Sequence, residues 1–174
     1  MQGDEHPDRG ASGVPPVSDP TAVAASQAAA VDALASGSAL SGERPLRRID
    51  THMSHVFLGV GHVYKLTRSR RHPFADMSTI EARRRACEEE MLANAAWAPG
   101  LYEAVMPLVL DADGSIRLGG SGPVVDWILK LRRFKDGQLL AEMADAGRLT
   151  PECVARTAQR VAECHAALPR LRDA

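Results

Sequence analysis

Between Arg47 and Thr67 the chain carries three short runs of strand character, Arg47–His52, His55–Val60 and His62–Thr67, with hardly a residue between them. Parallel neighbours need a crossover of about a dozen residues or more, so connections this short dictate an antiparallel meander. Gly59 and Gly61 supply the second turn. The third run, Val63-Tyr64-Lys65-Leu66, places a lysine in an alternating apolar strand. Such a lysine either snorkels to solvent from an edge or points inward to meet an anion, and a compact ammonium suits a phosphate.

Downstream, Ile80 to Ala96 reads as one long helix. Ser78 or Thr79 serves as its cap, and Ser78 with Glu81 has the capping-box spacing. Arg84, Cys87, Met91, Asn94 and Ala98 follow helical periodicity, and Pro99-Gly100 ends the element. Tyr102–Leu110 and Ser115–Leu118 read as a hairpin about Asp113-Gly114. Val124–Phe134 reads as a further strand, with Val125, Trp127, Leu129 and Leu131 alternating against Asp126, Lys130 and Arg132. Trp127 and Phe134 read as core. Helices over about Gln138–Ala146 and Pro151–Leu168 follow, the second with Thr150 as N-cap and Pro151 at the first position. The fold class is therefore α+β, a curved antiparallel sheet of five to six strands with one long helix against it.

Residues 1–20 hold Gly, Pro, Ser and Asp and almost no large apolar side chains, which predicts a disordered tail. Residues 21–44 are Ala-rich with few anchors, and predict a marginal helix and linker docking through Val23, Val31 and Leu34. The formal net charge of -1 gives no general attraction to nucleic acid or acidic membrane. The clusters Arg68, Arg70, Arg71 and Arg83, Arg84, Arg85 read as solvated faces. The cysteines Cys87, Cys153 and Cys164 lie far apart with no CxxC spacing, which argues against a disulfide framework or zinc site. Cys164 and His165 read as structural. The N-terminus lacks signal-peptide character, and no apolar run reaches the roughly 18 residues of a membrane span. A cytoplasmic, soluble protein is expected.

Strands with a lysine on the third, a helix bearing glutamates, and further strands leading to helices resemble the small lobe of a kinase fold. More closely, the chain resembles the N-terminal, aminoglycoside-phosphotransferase-like part of bacterial bifunctional phosphotransferase/AAA-family ATPase proteins. The stretches that carry the resemblance are Thr51-His52-Met53-Ser54 with Val56-Phe57-Leu58, Val63-Tyr64-Lys65-Leu66, and Glu81-Ala82-Arg83-Arg84-Arg85-Ala86-Cys87-Glu88-Glu89-Glu90. Val124-Val125-Asp126-Trp127 and Arg132-Arg133-Phe134 complete the set, in the expected order, over residues about 45 to 168.

The resemblance implies an ATP-binding small lobe over 45–134, with 135–174 as connector and first helices of a large lobe. It gives Lys65 the α- and β-phosphates of ATP, and a glutamate of the long helix as its partner. Glu90 is preferred because it shares the face of Cys87 and Asn94, with Glu88 and Glu89 as alternatives. Ser54, at the turn that would cover the phosphates, offers a hydroxyl and a backbone N–H; a protein kinase would carry several glycines there. Leu131 and Arg132 fall where backbone groups of the connector would meet the adenine edge.

Phosphoryl transfer in this fold also needs a catalytic-loop aspartate and a second acid for magnesium. No His-Gly-Asp, His-Arg-Asp or Asp-Phe-Gly segment occurs, nor does a G-x-x-x-x-G-K-[ST] phosphate loop. The expectation is a truncated, catalytically incomplete phosphotransferase-like module, with Mg2+ required only alongside the missing lobe. An interaction module that keeps the fold without nucleotide is the alternative. The closing helices, with Leu139, Leu140, Met143, Val154, Val161 and Leu168, predict an exposed apolar face and self-association or a second chain as partner.

Overall fold

A computed structural model describes residues 20–41 and 44–168. The expected tail over residues 1–20 falls almost wholly outside that range, as does the side chain of Val23. The elements in chain order are α1 (Pro20–Ser36), β1 (Arg47–Asp50), β2 (Ser54–Leu58), β3 (His62–Thr67), β4 (Arg71–His72) and β5 (Ala75–Asp76). They continue with α2 (Ile80–Ala95), β6 (Tyr102–Leu110), β7 (Ile116–Leu118), β8 (Val124–Arg132), α3 (Leu140–Asp145) and α4 (Pro151–Ala167).

The fold is α+β. Six strands form one antiparallel sheet in the order β1-β2-β3-β8-β6-β7, while β4 and β5 make a separate small hairpin that the sequence pattern did not reveal. The meander register sets Val56 opposite Lys65, and Lys65 opposite Leu129. Chain order and sheet order part at β8, which inserts between β3 and β6. The strand expected to run to Phe134 stops at Arg132, and Phe134, expected in the core, is exposed beyond the sheet.

Successive strand residues face opposite sides, so Tyr64 and Lys65 look different ways. The side of Tyr64, Leu66, Phe57 and Ile128 is covered by α1 through Ala30, Val31 and Leu34. Each of the large side chains there contributes about 1.5–3 kcal/mol on burial. The Ala-rich helix is thus no loose appendage: its small residues let it lie close, and Leu34 is wholly buried.

The other side is covered by α2. Thr79 caps it, its hydroxyl accepting from the Ala82 N–H, whereas the Ser78 N–H turns back to Asp76. The capping box expected at Ser78 therefore does not form; Thr79 holds the cap geometry one residue later. Arg83, Cys87 and Glu90 lie at i, i+4 and i+7, one stripe along the helix, and Arg83 and Cys87 are its buried residues. Met91, expected on one stripe with Cys87, is only half-buried.

At the far end, α3 and α4 extend from the connector. Thr150 caps α4 as its sequence predicts, accepting from the Cys153 N–H. The helix meets the rest through Trp97 and His165, whose ring centroids lie 5.4 Å apart, and through Arg160, which donates to the Ala96 carbonyl at 2.5 Å.

Candidate functional site

Lys65 sits in the middle of β3, flanked by β2 and β8, and Glu90 stands two turns past Arg83 on α2. The Lys65 ammonium donates to both carboxylate oxygens of Glu90, at 2.7 and 2.6 Å. Both side chains are 29% exposed, so the pair is partly desolvated yet reachable. Of the neighbouring glutamates, Glu88 turns to Arg84 and Glu89 is exposed.

Three groups surround the pair. Asn94 donates to the Glu90 carbonyl at 2.8 Å, holding the next turn of α2. The Tyr102 hydroxyl lies against the Glu90 carboxylate, and burial, reinforced by that negative charge, raises its pKa. Cys87 lies one turn before Glu90, and burial pushes its thiol up to about 11, so it stays protonated and unreactive.

Ser54 and its turn are arranged differently from the expectation. The Ser54 N–H donates to the Thr51 hydroxyl at 2.9 Å, and its carbonyl accepts from the Thr51 N–H at 2.8 Å. Ser54 itself is 2% exposed. Its backbone donor is committed to closing the hairpin, because a tight turn without glycine satisfies its own polar groups first.

Leu131 and Arg132 are likewise committed. Leu131 pairs with Val63 on one side and Tyr102 on the other. The Arg132 N–H donates to the Leu101 carbonyl at 2.8 Å, and its guanidinium to that of Gly100. Gly100, at φ +72, takes the left-handed turn that leads α2 into β6. The Arg133 N–H also goes inward, to Gly61 at 2.9 Å. The chain first leaves this pairing at Phe134.

The residues the sequence most obscured are Arg83 and Asp126. Read as members of a solvated cluster and of a polar strand face, they are instead wholly buried. Arg83 Nε donates to Asp126 Oδ1 at 2.8 Å, and its Nη1 to the Met77 carbonyl at 3.0 Å. Asp126 Oδ1 also accepts from the Trp127 N–H, and Oδ2 accepts from the Gln27 amide of α1, each at 2.8 Å. Gln27 further donates to the Thr67 carbonyl at 3.1 Å and accepts from the Ser69 N–H at 2.6 Å. A lone acid in the otherwise apolar run Val124-Val125-Asp126-Trp127-Ile128-Leu129 is the signal that could have found it.

The described residues also line open clefts, of which two lie apart from Lys65 and Glu90. One of about 580 Å³ lies between α2 and β6, with Met91, Tyr102 and Val105 on its walls. The other, of about 370 Å³, lies between α1 and the outer strands beside Arg48 and His55. There Asp50 is held down to about 2 by hydrogen bonds from Arg48 first and His55 second.

Among the described residues no group of three or more His, Cys, Asp or Glu could hold a metal ion, and no helix is long and apolar enough to cross a membrane. Comparison with protein-family models, with curated proteins and with solved structures finds no match for the chain.

Proposed function

We propose that residues 45–134 form a kinase-like small lobe that binds ATP through Lys65, and that this is the basis of the resemblance to aminoglycoside-type phosphotransferases. One observation carries the reading: the ion pair between the lysine of the third strand and the glutamate of the helix that follows, in a sheet ordered β1-β2-β3-β8-β6. A lysine closed by a bidentate carboxylate has one ammonium hydrogen left, held in a fixed direction. That is how a charge is pre-positioned for a phosphate oxygen, and the partial exposure of the pair leaves an approach.

The fit to ATP differs along the ligand. At the phosphate end Lys65 and Glu90 suit it, with Glu90 orienting and Lys65 neutralising. The Ser54 N–H does not suit it, since it is already engaged. At the base end, Leu131 and Arg132 have their backbone groups in the sheet, so an adenine edge would be met further on, at Phe134. ATP would supply the transferable phosphoryl group, and Lys65 and Glu90 would bind and orient it. The functional reading is therefore the nucleotide-binding part of a cytoplasmic phosphotransferase-like protein.

A second reading has its own support. The hairpin at Thr51–Ser54 carries no glycine, and its Ser54 N–H is taken by the Thr51 hydroxyl, so that donor is not offered to a phosphate. A non-catalytic interaction module that keeps the lobe's architecture follows from that feature.

Calorimetry with Mg-ATP decides between them. The nucleotide reading predicts binding by the wild-type chain that weakens at least tenfold, about 1.4 kcal/mol, in Lys65→Ala. Absence of heat from a folded wild-type chain, or equal affinity in the variant, would overturn it.

A further inference from the structure

The carboxylate of Asp126 is gripped from both layers of the molecule. Arg83 reaches it from α2 and Gln27 reaches it from α1, and α1 and α2 cover opposite faces of the sheet. All three side chains are buried. The Gln27 carboxamide also ties down the end of β3, through the Thr67 carbonyl and the Ser69 N–H. The anchorage of α2 at its N-terminal end is thus polar and directional, made by Arg83 on Asp126 and on the Met77 carbonyl.

Glu90 lies on the same stripe of α2, two helical turns from Arg83. An α-helix is stiff over that length, so the rotation and height of Arg83 determine where the Glu90 carboxylate falls. A buried ion pair contributes little net stability compared with apolar residues of the same volume, and its best-attested use is to fix register. Arg83 and Asp126 have the geometry for that use.

We propose that α1 is a clamp on the Lys65–Glu90 pair. Gln27 polarises and orients the Asp126 carboxylate, Asp126 fixes Arg83, and Arg83 sets the position of α2 at which Glu90 reaches Lys65. Gln27, Asp126 and Arg83 are positioning residues: none touches the phosphate site. When α1 leaves the sheet, the Asp126 carboxylate loses one of its donors, the end of β3 is released, and α2 is free to rotate. Whatever acts on α1 therefore regulates the site. The proposal concerns the pair that the nucleotide reading rests on, yet its first test needs no nucleotide.

Gln27→Glu keeps the shape of the side chain but faces a second carboxylate toward Asp126 and removes both donated bonds. Adding Asp126→Asn keeps Oδ1 as acceptor for Arg83 and restores a donor toward position 27. The lysines are Lys65, Lys130 and Lys135, so the 13Cε resonance of Lys65 is readily followed in lysine-labelled chain. The clamp predicts that Gln27→Glu moves this resonance toward the free-lysine value. It also predicts that amide exchange across 88–94 speeds up about tenfold while β2 and the Val63–Leu66 part of β3 keep their protection, and that the double variant reverses both changes. Should Gln27→Glu not fold, Gln27→Met preserves the volume, removes the donors and carries the same expectation. An unchanged Lys65 resonance in either variant, or loosening of α2 only together with the sheet, would overturn the clamp. A clamp that passes this test in a chain with no affinity for Mg-ATP would leave the coupling standing and remove the nucleotide.

Discussion

Lys65 and Glu90 depend on each other because each is too deep for full hydration and too shallow for the protein to do without a charge. With each side chain 29% exposed, the pair stands between a surface salt bridge and a buried one. A double-mutant cycle with Lys65→Met and Glu90→Gln should give a coupling of about 1 kcal/mol in urea denaturation, and a value near zero would mean that the contact is incidental. Asp50 provides a pH-dependent counterpart at the outer edge. Its carboxyl is held at about 2 when folded against 3.8 unfolded, through Arg48 and then His55. A depressed carboxylate stabilises the fold above its unfolded pKa, and that contribution is lost as pH falls through the folded value. Asp50→Asn should therefore flatten the stability profile between about pH 4 and pH 2 and leave the neutral region alone. The Asp50 side chain is 47% exposed, so the effect is small and shrinks further in salt. Thermal melts across that range measure it; an unaltered acid limb would show that the Asp50 contacts do not persist in solution.

At the level of elements, α2 shows what sequence pattern reveals and what it conceals. Its extent and the choice of Glu90 over Glu88 and Glu89 follow from helical spacing, because period 3.6 is a local property, although the helix ends at Ala95, ahead of Pro99-Gly100. The burial of Arg83 is not local. It requires Asp126, 43 positions away, and Gln27, on a helix that composition alone made look marginal. The same reason hid the role of β8: with helices on both faces of the sheet, alternation no longer separates inside from outside, and Asp126 is buried as fully as Ile128. Arg83→Ala should cost about 3–5 kcal/mol, because it strands a buried carboxylate, whereas Arg83→Met with Asp126→Leu should recover most of the loss. Equal costs for the two variants in urea denaturation would contradict a buried ion pair. Thiol labelling reads the same layering: Cys153 on α4, half-buried, should react with an aromatic disulfide reagent under native conditions. Cys87, sealed between α2 and the sheet and held at about 11, should react only on unfolding.

Across the whole molecule, the sheet with α1 and α2 forms one packed body, and α3 and α4 extend from it with little burial of their own. Leu139, Leu140, Val154, Val161 and Leu168 are all exposed. Such a face favours association, and the apparent mass in sedimentation should rise with concentration and fall back in Val154→Glu. A strictly monomeric wild-type chain at high concentration would show that this face is tolerated in water. The central claim, that the body exists to present Lys65 to a phosphate, is tested most directly at Lys65 itself. If Lys65 binds phosphate and not base, the 13Cε resonance of that lysine should shift on addition of Mg-ATP or ADP and stay in place with adenosine. A resonance that ignores all three ligands, or answers adenosine as strongly as ATP, would contradict the account.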